Sequence, residues 1–231
     1  MKRTKLTGFT LIELLIVVAI IAILALIAVP NFLEAQTRSK VARAKADMRS
    51  MDIAIQSKIV DLGMDAYLVD FWDDDTAWGR KRIDEVFGGV GGRPEATRRQ
   101  VDILAPLTTP IAYITSLPRD PFLPPMSYFV SGGNSEIAGK EGNESYLYMD
   151  EDPGDDRPNT IDWNLYGVNN TPMPGTIRPI KEGEYLQIGY GPVLAPRTGG
   201  RAGIRDGWAY DPTNGTASIG CIFRRSTGEE K

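Results

Sequence analysis

The feature that most constrains this chain is the apolar run Phe9–Val29, in which Glu13 is the only charged residue among 21. At about 1.5 Å per residue, a helix of that length spans roughly the 30 Å of a bilayer core. A short leader carrying Lys2, Arg3 and Lys5 precedes it and Pro30 closes it. That charge bias places the N-terminus in the cytoplasm and the remainder on the far side. A conventional secretory signal has a shorter apolar core ending in an Ala-x-Ala site, and no such site stands near the end of this run.

Glu13 needs a reason to be there. A central carboxylate costs roughly 2.5–3.5 kcal/mol on insertion scales, while each Ile, Leu, Val or Phe returns about 0.3–0.6 kcal/mol. Fifteen such residues offset one acid, so the segment still inserts. Proximity to the helix N-terminus, where the dipole favours an anion, lowers the cost further. Two readings stand. Glu13 is either an acid tolerated near the membrane boundary or an intramembrane carboxylate that awaits a cation.

The segment Lys5-Leu6-Thr7-Gly8-Phe9-Thr10-Leu11-Ile12-Glu13-Leu14-Leu15 closely resembles the class III leader of type IV pilins and of type II secretion pseudopilins. The resemblance implies cleavage by a prepilin peptidase after Gly8 and N-methylation of the new terminal residue, Phe9. It also implies that Glu13 pairs with the N-terminal amine of a neighbouring subunit. The partners implied are a homo-oligomeric helical filament, the peptidase/methyltransferase, an inner-membrane assembly platform with minor pseudopilins, and membrane lipid before assembly. The location implied is a single-pass inner-membrane protein, with the domain extracytoplasmic until it joins a periplasmic or surface filament.

After Pro30 helical periodicity resumes, so the proline is expected to kink the helix rather than end it. Val41, Ala44, Met48, Met51, Ile55, Ile59 and Leu62 recur at three- and four-residue spacing, an apolar stripe over about six turns. Arg38, Lys40, Arg43, Lys45, Arg49 and Asp52 are expected on the other faces, and Gly63 is a plausible C-cap. Phe9 to Leu62 therefore reads as one helix of about 80 Å, apolar all round and then amphipathic. The stripe reads as the face on which a globular domain packs, with a coiled-coil seam as the alternative.

The remainder is rich in turn residues and predicts short strands at Ser127–Val130, Ser145–Met149, Glu184–Ile188 and Thr216–Phe223. Trp208-Ala209-Tyr210-Asp211-Pro212-Thr213-Asn214-Gly215-Thr216 reads as a hairpin. Glu95–Leu104 reads as a short helix with Val101 and Leu104 inward. Prolines at 110, 118, 121, 124 and 125 force an extended loop, pinned by Tyr113, Ile114 and Phe122. The expected fold is α+β: a leader (1–8), a transmembrane assembly helix (9–29), its amphipathic continuation (30–62), and an antiparallel sheet domain with long loops (63–231). Pro118, Asp120, Pro121 and Phe122 resemble the Pro-x-Asp-Pro-(Phe/Trp) loop of G-type major pseudopilins, which favours the secretion branch.

Chemistry is narrowly bounded. There is no histidine, so no imidazole base or ligand exists, and Cys221 is the lone cysteine. Ser/His and Cys/His catalysis cannot be assembled from these residues, and Cys221 in its apolar strand reads as an inert thiol. Asp73–Asp75 reads as a solvated charge run, with ligation of a hard cation as the alternative, and Asp150–Asp156 as an acidic cluster in a turn-rich loop. Gly88–Gly92 lacks the spacing of a phosphate loop. A net charge of −4 argues against a nucleic-acid partner. The pseudopilin resemblance implies a calcium ion in the C-terminal loop, whose start the Gly191-Pro192 corner resembles. Val193 and Cys221 depart from that pattern, leaving Asp206, Asp211 and Asn214 as candidate ligands. The sequence thus predicts a non-enzymatic filament subunit, most like a G-type pseudopilin. A type IV pilus pilin and a membrane-tethered extracytoplasmic binding or enzymatic domain are the alternatives.

Overall fold

The computed structural model describes residues 9–63, 68, 100–123, 144–150, 177–178, 180–181, 183–192, 209–218 and 220–230. Its first element, α1 (Leu11–Leu62), is one helix of 52 residues with Pro30 inside it. Thr10 is the N-cap, and Gly63, at φ 71°, takes the C-cap conformation that glycine adopts without strain. From Leu11 to Val29 every side chain is exposed, in keeping with a helix long and apolar enough to cross a membrane. Beyond it Val41, Ala44, Met48, Met51 and Ile55 are buried and Ile59 is partly so, which makes the stripe the face on which the domain packs. Leu62 departs from the expectation: it is exposed, because the helix ends there, past the edge of the packed domain.

Among the described residues, three short strands form one antiparallel sheet in the order β1 (Leu147–Asp150), β2 (Tyr185–Gly189), β3 (Ile222–Arg225). Tyr148 lies opposite Gln187, and Gln187 opposite Arg224, so these three residues share a face. That face meets α1. The other carries Leu147, Met149, Leu186, Ile188, Phe223 and Arg225, all buried as well. A second helix, α2 (Gln100–Leu104), packs on β1 and runs into a 3-10 turn at Ala105–Leu107. Tyr113, Ile114 and Phe122 pack against the core, as the proline-rich loop requires.

Several expectations are corrected. The buried positions of α2 are Gln100, Ile103 and Leu104, while Val101 is only half-buried, because the register is set by docking on β1. Asp150 is not in the turn-rich loop but is the last residue of β1, where its carboxylate accepts the Tyr148 hydroxyl at 2.6 Å. Thr216–Phe223 does not form one strand, since a 3-10 turn runs through Pro212–Ala217 and β3 begins at Ile222. The hairpin around it is replaced by a closed loop. Proline lacks the N–H a ladder needs, and the Asp211 carboxylate accepts from the Thr213 N–H at 2.8 Å, seeding the tight turn. Ala209 then meets Cys221 in a single parallel bridge. The strand expected at Ser127–Val130, the acids at 73–75 and 151–156, and the glycines at 88–92 lie outside the described residues.

Asp52 is the largest surprise on α1. Expected on an outer face, it is buried at the sheet, where it accepts the Tyr185 hydroxyl at 2.5 Å and Nε and Nη2 of Arg224 at 3.0 and 2.7 Å. Arg224 also reaches Glu230, which accepts from Arg49 on α1. One turn earlier on α1, Asp47 accepts the Tyr146 hydroxyl at 3.1 Å. Burying Met48, Met51 and Ile55 contributes about 1.5–3 kcal/mol each, and these polar pairs fix where on the sheet that burial happens. Asp52→Ala is therefore expected to destabilise the domain by about 1–3 kcal/mol, because it leaves the buried Tyr185 hydroxyl without its acceptor and the half-buried Arg224 with Glu230 as its remaining acid. Arg38→Ala, at the exposed Glu34 pair, is expected to cost well under about 1 kcal/mol. Urea denaturation of the full chain in detergent compares the two.

Candidate assembly site

The candidate site is the start of α1. Thr10, in extended backbone geometry, accepts the Glu13 N–H on its hydroxyl at 3.3 Å. Glu13 returns the bond: its Oε2 accepts the Thr10 N–H at 2.8 Å and the Thr10 hydroxyl at 2.6 Å. This capping box satisfies backbone donors that lipid cannot satisfy, so the acid has a local use in the single subunit. All these bonds fall on Oε2. Oε1 accepts no hydrogen bond among the described residues and is available to an external donor. Phe9 stands exposed directly before the cap. Gly8 lies outside the described residues.

The sequence reading weighed a tolerated acid against one awaiting a cation. In the single subunit one carboxylate oxygen caps the helix, while the other accepts no hydrogen bond among the described residues. Thr10 was the residue the sequence reading missed. The signal was present, since Thr10 and Glu13 stand three apart at the head of an apolar run, which is the pattern of a capping box.

A second constellation joins the two loops singled out in the sequence. Asp120 is 2% exposed, and its carboxylate accepts the Phe122 N–H at 2.8 Å and the Tyr190 N–H at 2.7 Å. Its own N–H donates to the Glu144 carbonyl at 2.9 Å. The Pro118–Phe122 loop is thereby tied to the strand end that turns at Gly191-Pro192. Both glycines at this corner are required by close approach: a Cβ on Gly191 would meet the Gly220 carbonyl oxygen at 1.9 Å, and one on Gly220 the Ala209 carbonyl carbon at 2.1 Å. Cys221, next to it, is buried and forms no disulfide, being the lone cysteine of the chain.

Of the calcium candidates, Asp206 lies outside the described residues. The Asp211 carboxylate holds the Thr213 N–H and hydroxyl, and the Asn214 N–H donates to the Asp211 carbonyl at 3.2 Å. Among the described residues, no three His, Cys, Asp or Glu side chains group as a metal site would require.

Burial pushes the Asp120 carboxyl up to about 6, with Asp47 adding to the effect and the two backbone N–H groups opposing it. Arg178 holds the Glu184 carboxyl below the usual range, and Arg49 does the same for Glu230. Asp120 has its folded pKa above its unfolded one, so its contribution to stability is complete below about pH 4 and is lost as pH rises through about 6. That difference amounts to about 3 kcal/mol. Glu184 and Glu230 act in the opposite sense, giving stability above the ordinary carboxylate range that is lost on acidification. A carbon-detected NMR titration is expected to find the Asp120 carboxyl titrating near 6. An Asp120 midpoint in the ordinary Asp range would contradict the buried clamp.

Residues 4–29 match the family described as the prokaryotic N-terminal methylation motif. The chain is 58% identical over 50 residues to the type IV major pilin protein PilA of Myxococcus xanthus (strain DK1622). That match covers 22% of this chain and 23% of the relative, so it spans less than a quarter of either. No solved structure matches the chain significantly.

Proposed function

We propose that this type IV pilin-like chain is the structural subunit of a pilus-like filament, polymerised through α1 after a prepilin peptidase cuts between Gly8 and Phe9. The observation that carries the proposal is the exposed apolar segment Leu11–Val29, headed by a carboxylate of which one oxygen accepts no hydrogen bond among the described residues. Before assembly that segment is solvated by lipid, and in the filament by the same segment of neighbours. Lipid tails are about as apolar as Leu, so the exchange is driven by close packing and polar pairing rather than by the hydrophobic effect. Alanines at 19, 22, 25 and 28 permit close approach. Cleavage creates an ammonium at Phe9, which N-methylation leaves cationic, and Glu13 Oε1 of a neighbour is its counter-charge. The contact joins different patches on the two subunits, so it propagates as an open helix.

Within this reading, the Asp120 clamp and the Gly191-Pro192 corner favour a G-like major pseudopilin of type II secretion, with minor pseudopilins and an inner-membrane platform as partners. Calcium held by Asp206, Asp211 and Asn214 belongs to that version. The similarity to PilA favours the second version, a pilin of a type IV pilus serving adhesion or motility. Deleting the gene separates them: the first version predicts loss of exported enzymes from the medium with surface pili intact, the second loss of surface pili.

Two substitutions test the shared mechanism. Glu13→Leu is expected to insert and be processed, yet to form no filaments. Its capping bond is worth about 1 kcal/mol and is not needed for insertion. Normal filaments from that variant would contradict the pairing. Gly8→Arg is expected to keep its leader, and a mature mass equal to that of the unsubstituted protein would contradict cleavage at this bond.

A further inference from the structure

The domain begins to shield α1 almost at the end of the membrane segment. Every side chain from Leu11 to Leu33 is exposed, whereas Glu34 and Thr37 are half-buried and Val41 is buried. The 3-10 turn Pro212–Ala217 is what reaches Glu34: a Cβ on Gly215 would lie 3.9 Å from the Glu34 Oε1. Glu34 stands about 7.5 Å along the helix from Val29, and the headgroup layer beyond the core of a bilayer is about 5–8 Å deep. The turn therefore lies at headgroup level. Phe32, 66% exposed, and Leu33 carry the apolar surface to within one residue of Glu34, so their entry into lipid brings the turn closer still.

The chemistry of the turn suits such a neighbour. It carries no charged residue, and Pro212, Thr213, Asn214 and Thr216 are exposed. The acids at its margin are already matched. Asp211 turns its carboxylate back to the Thr213 N–H and hydroxyl, and Glu34 accepts from Arg38 at 2.5 Å. Among the described residues this edge sets no unmatched anion against lipid phosphate. It presents an amide at Asn214 and a hydroxyl at Thr216, donors that phosphate and ester oxygens can accept. We propose that the Pro212–Ala217 turn is a membrane foot, resting in the single subunit on the phospholipid headgroups of the leaflet from which α1 emerges. The foot sets the height of the domain above the bilayer and limits the tilt of α1 towards the turn. Thr227, at the other end of the domain, cannot share this role. The chain beside it is bonded to Tyr185 and Arg49, and Arg49 lies about 30 Å along the helix from Val29. The inference rests on α1 crossing a membrane and is independent of the filament.

The test uses the full-length chain reconstituted in phosphatidylcholine vesicles, part of whose lipid carries a nitroxide quencher on the headgroup. A fluorescent dye is attached at Asn214→Cys, at Thr216→Cys or, as the distant control, at Thr227→Cys. All three positions are exposed, and the buried Cys221 does not compete for label. The dye at 214 and at 216 is expected to lose most of its emission, and the dye at 227 to keep nearly all of it. Full emission at 214 and 216, from chains that float with the vesicles, would overturn the foot and leave the membrane-spanning reading standing. Equal quenching at 227 would show the domain lying flat on the lipid, and would overturn the foot as well. Chains that fail to float would overturn the membrane-spanning reading itself, and the foot with it.

Discussion

The structure depends on one helix serving two solvents. A rod of 52 residues keeps its backbone donors and acceptors paired internally, which is the condition for crossing lipid, and then offers a side-chain stripe on which a domain is built. Were the two halves separate elements, the domain would hang from a flexible tether and its position would carry no information. Because they are continuous, whatever fixes the membrane half also fixes the domain. Glu13 therefore matters beyond its own neighbourhood.

The domain is fastened to this rod by polar bonds at points where apolar packing alone would permit sliding. Tyr146 meets Asp47 and Tyr185 meets Asp52, with Arg224 closing the second pair and Glu230 returning to Arg49. Leu, Met and Ile set the strength of the contact, and the acid–tyrosine and acid–arginine pairs set its register. The far face of the sheet has its own ion cluster: Arg225, fully buried, lies within salt-bridge distance of Glu184 and of the exposed Glu229. The three strands seen among the described residues are few for independent stability. Having both faces of the sheet buried, and its last residues bonded back to the helix, compensates for that.

What was legible in the sequence followed from periodicity and composition. The apolar run, the 41–59 stripe, the Gly63 cap and strands near 147 and 185 all emerge from local pattern, because each repeats a physical signal over several residues. What was not legible depended on partners distant along the chain. Asp52 looks solvated until β3, about 170 residues later, delivers Arg224 to it. Arg224 and Arg225 are neighbours in sequence, yet alternation on a strand sends them to opposite faces. The 212–217 segment has the residues of a hairpin turn, but Asp211 capping Thr213 and the close contacts at Gly220 close it into a loop instead. Asp120 stood out only as part of a motif, and its bond to Tyr190 gives that motif its physical meaning.

The central claim is that the N-terminal helix is an assembly element made by processing, rather than a permanent anchor. Intact-mass and N-terminal fragment spectra of the chain isolated from its host membrane test this most directly. The account predicts a mature chain that lacks residues 1–8 and begins with N-methylated Phe9. A chain that retains Met1–Gly8, with an unmodified Phe9 inside it, would contradict the account and favour a tethered domain that keeps its anchor.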